Sequence, residues 1–167
     1  MNTETKSLES LLSAEVCAEI DRWLKKYPPE QKQSAVLTAL HLAQKQNGGW
    51  LSTEMMDAVA AYLDIPKIAV YEVASFYSLY EFKPVGRHKI SVCTNISCLL
   101  CGSEKIVEHL EQKLKIKMGE TTADGKITLR EVECLGACTG APMFQLNDNY
   151  HEKLTVEKVN TILEQLE

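Results

Sequence analysis

Apolar side chains recur every three or four positions through the first half of the chain. Val16, Ile20, Trp23, Leu24 and Tyr27 are interleaved with Glu15, Glu19, Asp21, Arg22, Lys25 and Lys26. One apolar stripe of that period predicts an amphipathic helix over about 14–27. Pro28-Pro29 stops it, and a proline then suits the first turn of a second helix over about 30–46, with Val36, Leu37, Leu40 and Ala43 inward. Asn47-Gly48-Gly49 accepts the left-handed backbone that ends a helix. Ser52 or Thr53 caps a third helix to Leu63, with Met56, Val59, Ala60 and Leu63 inward. Ile65-Pro66 breaks it, and a fourth helix runs from Pro66 to about Ser75 over Val70, Val73 and Ala74. The aromatic run from Phe76 to Phe82 fits either a helix end or extended chain. Met and aromatic positions at helical spacing read as core, and His41, set among apolar residues, reads as structural.

Lys83-Pro84-Val85-Gly86 punctuates the chain, and beyond it the period falls from about 3.6 to 2. His88 to Cys93 alternates as a strand. Ile106, Val107, Leu110 and Leu114 mark a helix that Ser103 can cap. Asp124-Gly125 is a turn signal, and Lys126 to Glu133 alternates again, ending at Cys134. Phe144-Gln145-Leu146 is a third strand, Asn147-Asp148-Asn149 a turn, and Tyr150 to Leu154 the return. Thr155 caps a last helix carrying Val156, Val159, Ile162, Leu163 and Leu166. The expected class is α+β: a helical N-terminal domain over 1–86, then a small α/β domain over 87–167. No internal repeat or low-complexity segment interrupts it.

Composition narrows the function classes. The hydrophobic fraction is 45% and the charged fraction 25%, ordinary values for a globular chain. A net charge of −5 argues against a nucleic-acid partner, which a basic face would serve. The stretch Ala35 to Ala43 falls short of the roughly 20 apolar residues of a membrane span. Met1 to Lys6 has neither the basic-then-apolar order of a secretory signal nor an Arg-rich transit character. The expected location is therefore the reducing cytoplasm, where six cysteines point to metal or redox chemistry rather than structural disulfides.

Four of those cysteines form two pairs, Cys93-x4-Cys98 and Cys134-x3-Cys138, with 35 residues between them. Each pair follows a predicted strand, so the two loops can meet at one edge of a sheet. Four thiolates are the usual ligand set of a [2Fe–2S] cluster. They also suit a structural zinc, since both metals take soft sulfur donors, although zinc sites more often show C-x2-C knuckles; dithiol redox or idle thiols are the remaining reading. Cys93, Cys98 and Cys101 also satisfy the plant-type C-x4-C-x2-C spacing, which would leave one of Cys134 and Cys138 idle. The two-pair set is preferred because it uses both strand-end loops. Neither loop contains a lysine or arginine, and Glu131 and Glu133 lie beside the second, which suits a low potential. Cys17, on the first helix, reads as packing. No G-x-G-x-x-G follows a strand, so no nucleotide site is expected.

Val70-Tyr71-Glu72-Val73-Ala74-Ser75-Phe76-Tyr77, Lys83-Pro84-Val85-Gly86, Cys93-x4-Cys98 and Glu133-Cys134-Leu135-Gly136-Ala137-Cys138 leading to Ala141-Pro142 carry a resemblance. Gln44 to Leu51 and Leu146-Asn147-Asp148 extend it over about residues 30–155. The chain resembles the thioredoxin-like [2Fe–2S] subunit of NADH:quinone oxidoreductase, respiratory complex I. The resemblance implies a thioredoxin-like [2Fe–2S] ferredoxin domain behind the helical bundle, and raises the cluster over zinc. It implies one cluster on Cys93, Cys98, Cys134 and Cys138, with Cys101 departing from the family pattern. It implies electron transfer in the NADH-oxidising module of a respiratory chain, with no catalytic residue of this chain's own. FMN and NADH are expected on a partner flavoprotein subunit, clasped by the helical domain, among other subunits of the cytoplasmic peripheral arm of an inner-membrane complex. The equivalent subunit of a soluble NAD-linked hydrogenase or formate dehydrogenase is the nearest alternative. A zinc-stabilised assembly module is the alternative of another class.

Overall fold

The computed structural model describes residues 11–166, so the Met1 to Lys6 segment lies outside the described residues. The chain divides into two compact units, the first ending at Pro84 and the second beginning at Val85.

The first unit is helical. Helix α1 (Ala14–Leu24) is capped by the Ser13 hydroxyl, which accepts the Val16 N–H. It stops three residues before the expected end, where a turn begins at Lys25. The second predicted helix is two pieces, a 3-10 turn over Lys32–Ala35 and α2 (Val36–Gln46). Neither piece has a capping side chain at its start, so the orphan N–H groups of that end favour the tighter turn. Helix α3 (Thr53–Leu63) starts where expected, with Ser52 Oγ accepting the Met55 N–H, and ends at Asp64 in the left-handed region. Helix α4 (Lys67–Phe76) follows Pro66. Ile20, Leu40, Val59, Leu63 and Val70 form the centre of this unit's core. Each such buried side chain contributes roughly 1.5–3 kcal/mol over leaving it in water.

Several side-chain expectations fail here. Leu37 and His41 are exposed, and Met55 is more deeply buried than Met56, which still packs partly buried against the core. Of the aromatic run, Tyr80 is buried and donates its hydroxyl to the Leu37 carbonyl, whereas Phe76, Tyr77 and Phe82 are exposed. The helix ends at Phe76 and Tyr77 turns extended, so helical spacing no longer governs which face points inward. Buried Gln44 supplies the missing partners of this extended stretch. It donates to the Leu79 carbonyl and accepts the Glu81 N–H, while the Leu51 N–H bonds the Glu81 carbonyl. Its amide thus satisfies backbone groups that no regular element reaches.

The second unit is a four-stranded mixed sheet with helices. Strands β1 (His88–Cys93), β2 (Ile127–Val132), β3 (Phe144–Leu146) and β4 (Asn149–His151) lie in the order β2-β1-β3-β4. β1 is parallel to β2 with Cys93 opposite Val132, and antiparallel to β3 with Val92 opposite Phe144. Gly86 N–H donates to Thr128 Oγ1, and a Cβ there would stand 2.9 Å from the Ile127 nitrogen, so glycine is required for this approach. Helix α5 (Ile96–Leu100) was not expected. Helix α6 (Ser103–Leu114) begins at Ser103, with Gly102 rather than Ser103 at the cap position; Ser103 is buried. β2 ends at Val132, two residues short of Cys134, and β4 is shorter than the predicted return. Helix α7 (Val156–Glu164) is capped by Thr155 as expected. Ile90, Val92, Leu129 and Phe144 from the sheet pack with Ile106 and Leu110 of α6 and Val159 and Ile162 of α7. Among the described residues, no helix is long and apolar enough to cross a membrane.

Candidate iron–sulfur site

Two parallel neighbouring strands end at the same edge of a sheet, and β1 and β2 are such a pair. Cys93 is the last residue of β1 and is buried, with its N–H bonded to the Met143 carbonyl at 3.3 Å. Asn95 then caps α5, accepting the Ile96 N–H at 2.9 Å, and α5 carries buried Cys98. On the other side, Gly136 takes φ +78°, which turns the chain after Cys134 and aims its N–H at Cys134 Sγ, 3.4 Å away. Cys138 opens a single 3-10 turn, and its Sγ lies 3.5 Å from that of Cys134.

The four thiols meet as two pairs. Burial pushes the Cys98 thiol up to about 11; its hydrogen bond with Cys93 adds to that, the Met143 main chain opposes it, and the nearness of Cys93 and Cys138 raises it further. Met143 is buried in one cluster with Cys93 and Cys98, with Leu135, Ala137 and Ala141 packed against it, so one side of the site is apolar. Cys134 and Cys138 are exposed. Cys101 is also exposed and stands outside this cluster, and Cys17 packs in the helical core as expected. All six cysteines are free thiols.

Among the described residues, no three His, Cys, Asp or Glu side chains converge as a metal-ion group. What the fold brings together is two thiol pairs, Cys93 with Cys98 and Cys134 with Cys138. Two thiolates for each of two irons is the demand of a [2Fe–2S] cluster, and soft, unoxidised sulfur at the rim of an apolar pocket meets it. The donor set fits the group. Sequence reasoning missed Met143, and it missed the polar ties around the pairs: Thr94 to Glu131, Asn95 to Glu133 and Tyr150 to Leu135. Asn95 carried a legible signal as a helix cap, but a five-residue helix is too short to show a period.

A sheet end that presents paired free thiols is a site for a soft metal centre. The family described as thioredoxin-like [2Fe–2S] ferredoxin matches residues 20–167, and the chain belongs to it. An NADH-quinone oxidoreductase subunit of Rickettsia felis is 51% identical over 142 residues, covering 85% of each chain. The identically named protein of Rickettsia typhi is 46% identical over 165 residues, 99% of this chain and 97% of its own. A mitochondrial NADH dehydrogenase [ubiquinone] flavoprotein 2 of Dictyostelium discoideum is 45% identical over 147 residues, 88% of this chain and 60% of that one. An NAD+-reducing [NiFe]-hydrogenase shares the fold at a TM-score of 0.67 and 22% identity, over 78% of this chain and 22% of that chain. The fold class is therefore α+β with a thioredoxin-like domain, and the cofactor is one [2Fe–2S] cluster rather than zinc.

Proposed function

We propose that this chain is the electron-transfer subunit of the NADH-oxidising module of an NADH:quinone oxidoreductase, and that Cys93, Cys98, Cys134 and Cys138 are its cluster ligands. The observation that carries the reading is that one thiol pair follows each of the paired parallel strands β1 and β2, with Cys138 near enough to Cys98 to raise its thiol. When bound, the cluster supplies a one-electron couple. The chain's own residues hold and shelter it. Cys93 and Cys98 are buried donors, Met143 and Leu135 keep water from one side, and Gly136 N–H is a donor aimed at the Cys134 sulfur. No acid–base residue or nucleotide site in this chain enters the reading. FMN and NADH belong on a flavoprotein partner, with other peripheral-arm subunits around it, on the cytoplasmic side of an inner membrane. The helical unit that ends at Pro84 serves as a docking domain, and the unit from Val85, two residues before the boundary expected after residue 86, as the cluster domain. Membership of an NAD-linked hydrogenase or formate dehydrogenase would need the same site, and the co-purifying flavoprotein distinguishes it.

The purified chain, made under iron-replete and anaerobic conditions, should contain two irons and two labile sulfides. It should become paramagnetic on one-electron reduction. Zinc without sulfide would overturn the assignment.

A further inference from the structure

Cys134 lies on exposed chain beyond the end of its strand, yet the residues on both sides of it are tied down. The backbone ladder between β1 and β2 finishes with the Thr94 N–H donating to the Val132 carbonyl at 3.3 Å. From there side chains continue it. Thr94 Oγ1 donates to Glu131 Oε1 at 2.8 Å, and Asn95 Nδ2 donates to Glu133 Oε2 at 2.6 Å. Asn95 Oδ1 meanwhile accepts the Ile96 N–H that starts α5. One asparagine therefore holds both the helix of Cys98 and the residue before Cys134. On the far side, Tyr150 Oη of β4 donates to the carbonyl of Leu135 at 2.8 Å, the residue after Cys134.

We propose that Asn95, Glu133 and Tyr150, with Thr94 and Glu131 behind them, are positioning residues that fix the distance between the two cysteine pairs and so control how long the chain retains its cluster. The proposal rests on the ligand assignment above. Exposed polar contacts add little to global stability, because water replaces them at small cost. These contacts act locally instead. They span 37 and 38 residues of sequence at the one place where the ligand segments leave the sheet. A donor set held at its working spacing before metal arrives loses less order on binding and opens less often afterwards.

The test uses the full-length chain loaded with its cluster, an excess of an iron chelator, and the rate of cluster loss by absorbance, alongside the spectrum of the reduced form. Glu133→Ala and Asn95→Asp should release iron about tenfold faster, the scale of one lost charge-assisted hydrogen bond. Asn95→Asp keeps the cap on α5 but sets a carboxylate against that of Glu133, so the tie becomes a repulsion while the cap is retained. Glu133→Gln retains an acceptor for Asn95 and should stay near the wild-type rate. Tyr150→Phe should be faster by a few fold. Glu133→Ala added to Asn95→Asp should cost less than it does alone, because the contact is already gone and the repulsion between the two carboxylates is relieved. Wild-type rates in Glu133→Ala, or equal loss in Glu133→Gln and Glu133→Ala, would overturn the proposal. Should Glu133→Ala fail to fold, Asn95→Asp and Tyr150→Phe decide it by the same rates. Absence of iron and sulfide from the wild type would overturn the ligand assignment instead, before any variant is compared.

Discussion

Cys101 separates two ways of counting the same cysteines. Spacing alone admits it as the third member of a plant-type set, because Cys93, Cys98 and Cys101 satisfy that rule as they stand. In the folded chain it is exposed at the C-cap of α5, while Cys98, one helical turn earlier, is buried against Met143. A helix turns by about 100° per residue, so i and i+3 share a side only roughly, and burial separates these two. Cys101→Ser should therefore leave the visible and paramagnetic spectra of the cluster unchanged, while Cys138→Ser should lose or badly destabilise it. Spectra of both variants after anaerobic loading check this, and bleaching in Cys101→Ser alone would restore the plant-type assignment. Cys98→Ser is the less informative change, because Cys101 is close enough in sequence to take the vacated place. The ligand candidates themselves were legible from residue type and spacing. Their environment was not, because the hydrogen bonds that surround them join positions 15 to 38 residues apart.

At the scale of the element, strand β1 and helices α3 and α7 begin where period and caps predict, since each has a strong local start signal in Ser52-Thr53, Thr155 or the Pro84-Val85-Gly86 break. Misreadings cluster where no local signal exists. α5 is shorter than two turns, and the chain after α4 is extended, with its backbone partners on Gln44. The joint between α3 and α4 gives an element-scale prediction. Asp57 of α3 accepts from Lys67 Nζ at 2.6 Å and from the Tyr71 hydroxyl, both on α4. Burial resists ionisation of Asp57, but the bonds from Lys67 and Tyr71 outweigh it and hold the carboxyl below its ordinary value. The same bond, with burial and nearby negative charge, pushes the Tyr71 hydroxyl up to about 12. Because the folded value is depressed, the contribution is complete above the unfolded carboxyl pKa of about 3.9 and is lost as pH falls through the lower folded value. Asp57→Asn should cost about 1 kcal/mol at pH 7, discounted for the exposed lysine. Urea unfolding of both proteins at pH 7 and at pH 3 checks it: the gap between them should narrow at pH 3. An equal gap at both would mean that the carboxylate's charge is not what joins the helices.

At the scale of the whole molecule, two facts sit together: every proposed ligand lies beyond residue 86, and the helical unit shows water large aromatic side chains close together in sequence, while the sheet unit exposes mainly aliphatic ones on α5. Phe76 is 79% exposed, Ile68 62% and Phe82 48%, on α4 and the extended stretch that follows it. Scattered exposed apolar residues need no explanation, but large aromatic side chains close together in sequence are enriched where proteins meet. The helical unit has its own buried core around Ile20, Leu40 and Val59, and the sheet unit has another around Ile90, Leu129 and Phe144. Each core is complete within its own unit, which is the condition for folding apart. A fragment starting at Val85 should therefore still bind two irons and two sulfides, with the spectrum of the full chain. It should fail to co-purify with the proposed flavoprotein partner, whereas the full-length chain carrying Phe76→Ser and Phe82→Ser should keep its cluster and bind that partner at least tenfold more weakly, as the loss of large interface anchors requires. Co-purification and cluster content are read on the same samples, so loss of the partner cannot be mistaken for loss of iron. Undiminished binding by the fragment would move the interface to the sheet unit and leave the helices a purely structural role.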